Sequence, residues 1–553
     1  MTSRARGLRP SYGRDEVRAA SLHHESDDRG VGAEPAVYPV AALPRLEPPN
    51  TQSAGRDLES RVRAGTKWSM LNSIVIRVGS FLVGVVLART VFGPAAWGLY
   101  AISLVVLAVL LSVNELGVSA AIVRWEGDIR SFAPTVVTLS LIASILMYVV
   151  LYATSSFLAR MLGSPGATGM LRVLCICVII DALCAVPLAL LNREFAQGRR
   201  SLVDFLNFAV RAGVTIWLAY TGHGVMSFAW GALAGCTVAL IVSTAVAPYF
   251  IMPGWNTSQA RQLLRFGLPL AGANLFGLGV LNVDSAIVGA VLGPAMLGLY
   301  QLAFNISSGP VNIIASAVQR VSYAGFSRVA EAGKGFAQAF NRALSLLMAL
   351  TVPACVLMAT LAGPLIRAVY GERWIAAAHA LSLLAVLGLM RVAFVLISNC
   401  IVAADKRSTL MGIQGLWLAA LIPVLLVGAR LGGITGAGAG HVLVAAAIVI
   451  PASLWTLSRA GITVRSMTRA CFRPALGGAL MTAASLLVSR LAGGGVGGLA
   501  AAMAAGTAIY LPVVHPMRAL LQRSPERLAR EGVCDPADSG ATASYFNLGN
   551  PGS

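Results

Sequence analysis

The sequence predicts an all-α integral membrane protein of about fourteen transmembrane helices: two pseudo-symmetric six-helix lobes plus two C-terminal helices. Three observations carry that expectation. The 553-residue chain is 57% hydrophobic and only 12% charged, where an ordinary soluble domain carries roughly 25% charge. Its apolar residues fall in long runs, each near the roughly 20 residues that cross a hydrocarbon core about 30 Å thick. One stretch, Thr90-Val-Phe-Gly-Pro-Ala-Ala-Trp-Gly-Leu-Tyr100, returns two hundred residues later as Ala290-Val-Leu-Gly-Pro-Ala-Met-Leu-Gly-Leu-Tyr300.

Residues 1–66 hold ten Arg and nine acids, with much Pro, Gly and Ser and no apolar periodicity. They read as a disordered cytoplasmic tail that no signal peptide opens. The expected spans are 68–91, 97–122, 133–158, 172–192, 202–220, 225–250, 266–291, 297–319, 344–363, 376–403, 409–429, 434–457, 474–491 and 496–515. Each copy of the repeat lies between two spans. Gly-Pro ends the incoming helix, because Pro lacks an N–H and drives the residue before it out of the helical region.

The basic residues test the count. With the amino terminus inside, seventeen Lys and Arg fall in the inner loops and four (Arg160, Arg367, Arg373 and Arg430) in the outer loops. That is the positive-inside asymmetry, and it is expected to put both termini on the cytoplasmic side. The net charge of +19 is therefore read as membrane topology, with no nucleic-acid partner.

The halves match beyond the turn. Each has a basic stretch about a hundred residues on (Asn192–Arg200; Asp405–Arg407) and then a Gly-rich connector (Thr221–Gly224; Gly432–Gly438). The expected organisation is an N-terminal lobe over 67–265, a C-terminal lobe over 266–460, two added helices over 461–517 and a disordered tail over 518–553. An even number of spans separates the copies, so their symmetry axis should run along the membrane normal.

Charges inside spans are costly and mark cavities or ion pairs. Arg77, Arg211 and Arg391 fall near the centres of spans 1, 5 and 10; Asp181 is central in span 4, and Glu115 and Asp284 lie several residues off centre. Arg89 and Arg490 lie at span ends and are expected to snorkel. Trp97, Tyr100, Trp255, Tyr370 and Trp374 read as an interfacial aromatic belt. Gly231/Gly235, Gly289/Gly293 and Gly436/Gly440 read as close helix packing. No nucleotide-binding loop exists, and His223, His441 and His515 lie far apart, so neither cofactor nor metal is expected. Seven of the eight Cys sit in or beside apolar runs and read as small hydrophobes, with no disulfide framework.

Gly65–Asn72 through Val85–Pro94, then Trp97–Tyr100 and Glu115–Arg124, resemble the polysaccharide transporter (Wzx-type oligosaccharide flippase) family of the multidrug/oligosaccharidyl-lipid/polysaccharide exporter superfamily. So do Phe266–Leu270, Asn282-Val-Asp284 and Gly289–Gly293. The likeness covers about 66–460; beyond it only hydropathy speaks. Glu115 stands where relatives often have Asp, which keeps the acidic character. The resemblance implies flipping of undecaprenyl-pyrophosphate-linked oligosaccharide across a bacterial inner membrane for surface polysaccharide. Its implied partners are that lipid, the bilayer and polysaccharide assembly machinery.

On that reading Arg77, Arg211 and Arg391 share a central cavity and hold the pyrophosphate, since a guanidinium stays charged when desolvated and pairs with phosphate oxygens. The plainer reading closes each Arg in an ion pair with Asp181 or Asp284. Glu115, Asp181 and Asp284 are then ion-pair or cation-coupling candidates. Two other classes compete. A drug/cation antiporter of the same superfamily wants an acidic or apolar cavity. A membrane-embedded polymerase or glycosyltransferase needs carboxylates or bases on a sizeable outer loop, yet 159–171, the longest, has no acid. A transporter rather than an enzyme is expected, driven by an ion gradient, the membrane potential or its substrate gradient.

Overall fold

In the computed structural model of the chain, the residues described are 51–114, 122, 129–249, 251–331, 336–403, 407–459, 462–493 and 495–518. The chain divides into two compact units, Met1–Leu58 and Glu59–Ser553, and the membrane helices from Trp68 onward belong to the second. Among the described residues every regular element is helical.

In order these are α1 (Thr51–Thr90), α2 (Pro94–Asn114), α3 (Ile129–Met161), α4 (Thr168–Arg193), α5 (Gln197–Tyr220), α6 (Met226–Val246) and α7 (Thr257–Glu331). Then come α8 (Phe336–Thr360), α9 (Ala362–Val369), α10 (Ala378–Ala403), α11 (Arg407–Val444), α12 (Ile450–Ser458), α13 (Val464–Leu491) and α14 (Val496–Val514). Eleven windows are long and apolar enough to cross a membrane. One of them contains the break at Gly293 (φ 81°) in α7 and another the break at Gly433 (φ 57°) in α11, and α2 adds a shorter apolar helix. The fourteen expected spans are thereby accounted for. α1 begins at Thr51, so the stretch expected to be disordered is helical over its last sixteen residues.

Packing sorts the helices. α4 packs on α3 and α6, and α5 on α6; α10 packs on α7, α8 and α11, while α13 and α14 pair with each other and lean on α8. The two sets meet along α2 and α7, and there the repeat explains itself. A Cβ on Gly98 would lie 1.7 Å from the Pro294 carbonyl oxygen, and one on Gly298 would lie 1.9 Å from that of Pro94. Each copy of the turn therefore seats its glycine on the proline carbonyl of the other. Only residues without a side chain allow this reciprocal contact, as in small-residue packing of membrane helices generally.

Around it an aromatic cluster closes the same end of the bundle. Trp374 is fully buried and donates from Nε1 to the Ala88 carbonyl at 3.0 Å. Its ring meets Trp97 edge-on at 6.0 Å. Arg89 donates from Nη1 to the carbonyls of Ala368 (2.7 Å) and Val369 (3.3 Å) at the end of α9. Two expectations change here. Trp97, Tyr370 and Trp374 are core residues at a helix junction rather than an interfacial belt, and Arg89 is a cross-chain cap rather than a snorkelling side chain. Trp255, 56% exposed, stays at the surface.

Candidate functional site

α1 is the least buried span: 6% of its apolar window is covered, against 50% for α4. Between α1 and α5 lies a cavity of about 610 Å³, within the range of roughly 300–1,000 Å³ typical of ligand sites. α1 supplies Asn72, Ser73, Arg77 and Ser80, one helical stripe; α5 supplies Asp204, Asn207, Phe208, Arg211 and Thr215, another. Trp97 and Tyr100 of α2 and Phe228 of α6 form an aromatic wall. A stripe of polar residues at three- and four-residue spacing on an otherwise apolar span faces one neighbour only, which is why both helices turn these groups inward.

Arg211 is held from two sides. Gly231 and Gly235 of α6 let the backbone of α5 close in at Arg211 and Thr215, the close packing expected of that glycine pair. Its Nη2 donates to the Tyr100 hydroxyl at 3.0 Å, and the Tyr100 ring stacks on Phe228 at 4.0 Å. The Tyr100 partner is a hydroxyl and not a carboxylate, so the bond orients Arg211 without closing an ion pair. Arg77 makes no ion pair with a described residue. Asp204, the one acid on the wall, contacts Arg200 one turn away at 3.4 Å. Two guanidiniums thus face one cavity with no carboxylate of their own, an arrangement suited to an anionic ligand.

Arg391 does not line this cavity. It lies over the Phe304 ring (5.6 Å) and reaches Ser308 Oγ at 3.4 Å, with Asp284 and Tyr300 as electrostatic neighbours. Asp284, 3% exposed, accepts from the Tyr300 hydroxyl at 2.8 Å and from the Ser285 amide at 2.7 Å. His441 Nε2 lies 3.4 Å from the same carboxylate, yet neither ring nitrogen completes a hydrogen bond. One turn beyond His441 the helix widens into a π turn at Ala445–Val449, a distortion frequent at functional sites. Of the three arginines expected to converge, Arg77 and Arg211 line one cavity, and Arg391 lies instead near the buried Asp284.

Asp181 sits half-buried on α4; Glu115 lies outside the described residues. The His441–Asp284 approach escaped sequence reasoning, because 157 positions separate the two and nothing local in either neighbourhood marks a partner. Among the described residues no group of three His, Cys, Asp or Glu could hold a metal ion.

Fold and cavity together define a multi-pass membrane transporter. The chain belongs to the polysaccharide biosynthesis protein family, whose profile matches residues 86–379, and with it to the polysaccharide transporters. It is 23% identical over 393 residues to the lipopolysaccharide biosynthesis protein WzxC of Escherichia coli K12, covering 70% of this chain and 79% of that protein. To the succinoglycan biosynthesis transport protein ExoT of Rhizobium meliloti it is 23% identical over 318 residues, 58% of this chain and 64% of the relative. Its fold is similar to that of the lipid II flippase MurJ in an inward closed conformation, with a TM-score of 0.67, 15% identity and coverage of 82% and 99% of the two chains. Its fold is also similar to that of an inward-facing multidrug resistance MATE family transporter of the MOP superfamily, with a TM-score of 0.57, 19% identity and coverage of 69% and 93%.

Proposed function

We propose that the protein flips a lipid-linked oligosaccharide, carried on undecaprenyl pyrophosphate, across the bacterial inner membrane for surface polysaccharide. One observation carries this reading: Arg77 and Arg211 face a single cavity without a carboxylate partner, beside an aromatic wall. The diphosphate meets the guanidiniums, paired donors against paired oxygens. The sugars lie against Trp97 and Tyr100, whose rings offer an apolar face and a polar edge. The polyprenyl tail stays in the bilayer past the thinly covered α1.

In this reading the closed end of the bundle is extracytoplasmic. Transport separates the paired turns, breaks the Trp374–Ala88 and Arg89–α9 bonds, and closes the opposite end by rocking of the two helix sets. Asp284, with His441 and Tyr300, is the candidate for ion coupling, and Arg391 balances its charge. A drug/cation antiporter fits less well, since two unpaired arginines repel a cationic substrate.

The test is complementation of a flippase-deficient strain, with membrane levels measured in parallel. Arg77→Gln and Arg211→Gln are expected to abolish surface polysaccharide at normal protein levels. Restoration at normal levels by both variants removes the substrate site; disappearance of both from the membrane makes these arginines structural.

A further inference from the structure

A second basic pocket lies at the closed end of the bundle, about 420 Å³ in volume, where the end of α1, helix α9 and the junction of α13 with α14 meet. Its charged lining residues are Arg89 and Arg367, and no carboxylate lines it. Arg89 spends one nitrogen, Nη1, on the α9 carbonyls. Arg367 spends Nε on Glu372, which stands outside the lining. The remaining guanidinium nitrogens have no described partner and are free to donate. Ser489 adds a hydroxyl with no described partner, and Val496 opens α14 with no side-chain cap on its first amides.

Two features set this pocket apart from an ordinary interfacial anchor. The loops at this end carry only four of the basic residues counted above, so the positive-inside rule does not supply the pair. The rim is also apolar and open: Leu491 is 77% exposed and Val496 is 69% exposed. A ligand seated here meets cations at its head and the bilayer at its tail.

We propose that this pocket binds the phosphate group of a membrane lipid, at a site separate from the α1–α5 cavity. Its ligand is a phosphate ester or diphosphate on an apolar chain, supplied by bilayer phospholipid or by a polyprenyl carrier. The site stands whether or not the cavity moves a carrier. Arg89 couples it to closure, because the guanidinium that would meet the phosphate also ties α1 to α9.

The test uses full-length protein with native cysteines replaced and Ser489→Cys introduced, in micelles of a phosphate-free maltoside detergent. Labelling by a water-soluble maleimide is timed with no addition, with phosphatidylglycerol, with polyprenyl pyrophosphate and with inorganic pyrophosphate. A bound lipid phosphate is expected to slow labelling by about tenfold, the effect of one charge-assisted contact. The Arg89→Gln/Arg367→Gln pair should lose that protection, and Arg77→Gln/Arg211→Gln should keep it. Equal protection by phosphatidylglycerol assigns the ligand to the bilayer; protection by polyprenyl pyrophosphate alone assigns it to the carrier. Since Arg89 also caps α9, Arg367→Gln alone must weaken protection and Arg89→Lys must retain it. Absence of protection by either lipid, or protection that survives the double Gln variant, overturns the site.

Discussion

Tyr100 and Tyr300 hold equivalent places in the two copies of the turn, yet their hydroxyls do opposite things. Tyr100 accepts from Arg211, and Tyr300 donates to Asp284. One duplicated residue therefore sits beside a cation in one half and an anion in the other; under the proposed function this divides anion recognition from ion coupling between the halves. Tyr100→Phe leaves the ring stacked on Phe228 but frees Arg211. It is expected to weaken lipid pyrophosphate binding by about tenfold, the loss of one hydrogen bond to a charged group, measured with the purified protein. Arg211→Lys keeps the charge without the paired donors and should fall between wild type and Arg211→Gln. Asp284→Asn and His441→Gln are expected to leave that binding intact while transport stops responding to an imposed ion gradient. A gradient response that persists in both variants removes the cluster from coupling.

At the scale of elements, the turns were legible in the sequence because Gly-Pro is a strong break between apolar runs, and the structure bends at both. The seat of Gly98 on Pro294 was not legible: lipid is as apolar as a protein interior, so an apolar membrane helix does not declare which face packs. The same ambiguity hid the burial of Trp374 and the cap made by Arg89, and left open whether Arg391 faces the cavity or Asp284. Hydropathy placed Arg391 mid-span but could not say which cavity it faced. Gly98→Val places a branched side chain against the Pro294 carbonyl, where overpacking costs about 1–3 kcal/mol. It should hold the closed end open, which cysteine labelling of Asn207→Cys from that side would report as faster modification. Trp374→Phe keeps an aromatic ring but loses the second ring of the buried indole as well as the bond to Ala88. A loss of about 2–4 kcal/mol is expected from the cavity and the lost hydrogen bond together, read as a lower melting temperature in detergent.

For the whole molecule, the asymmetric placement of basic residues made the span count readable, since charge and hydropathy constrain it independently. The same asymmetry gives an expected sidedness that labelling tests. In a background without native cysteines, single cysteines across 364–375 are expected to react with an impermeant reagent in intact cells. Those across 324–336 are expected not to react, and the reverse pattern inverts the topology. What no sequence pattern encodes is the shape of the space between α1 and α5, which depends on how far α1 stands from its neighbours.

Under the proposed function Arg77 and Arg211 receive the diphosphate of a lipid-linked saccharide. The most direct measurement reconstitutes the full-length protein in vesicles with a fluorescent polyprenyl-pyrophosphate-linked saccharide on one leaflet and follows its appearance on the other. Wild type should move the lipid, and Arg77→Gln/Arg211→Gln should not, with binding weakened by about a hundredfold for two lost charge-assisted contacts. Transport by the double variant at the wild-type rate, from protein of equal amount and stability, would mean that the two arginines do not hold the diphosphate.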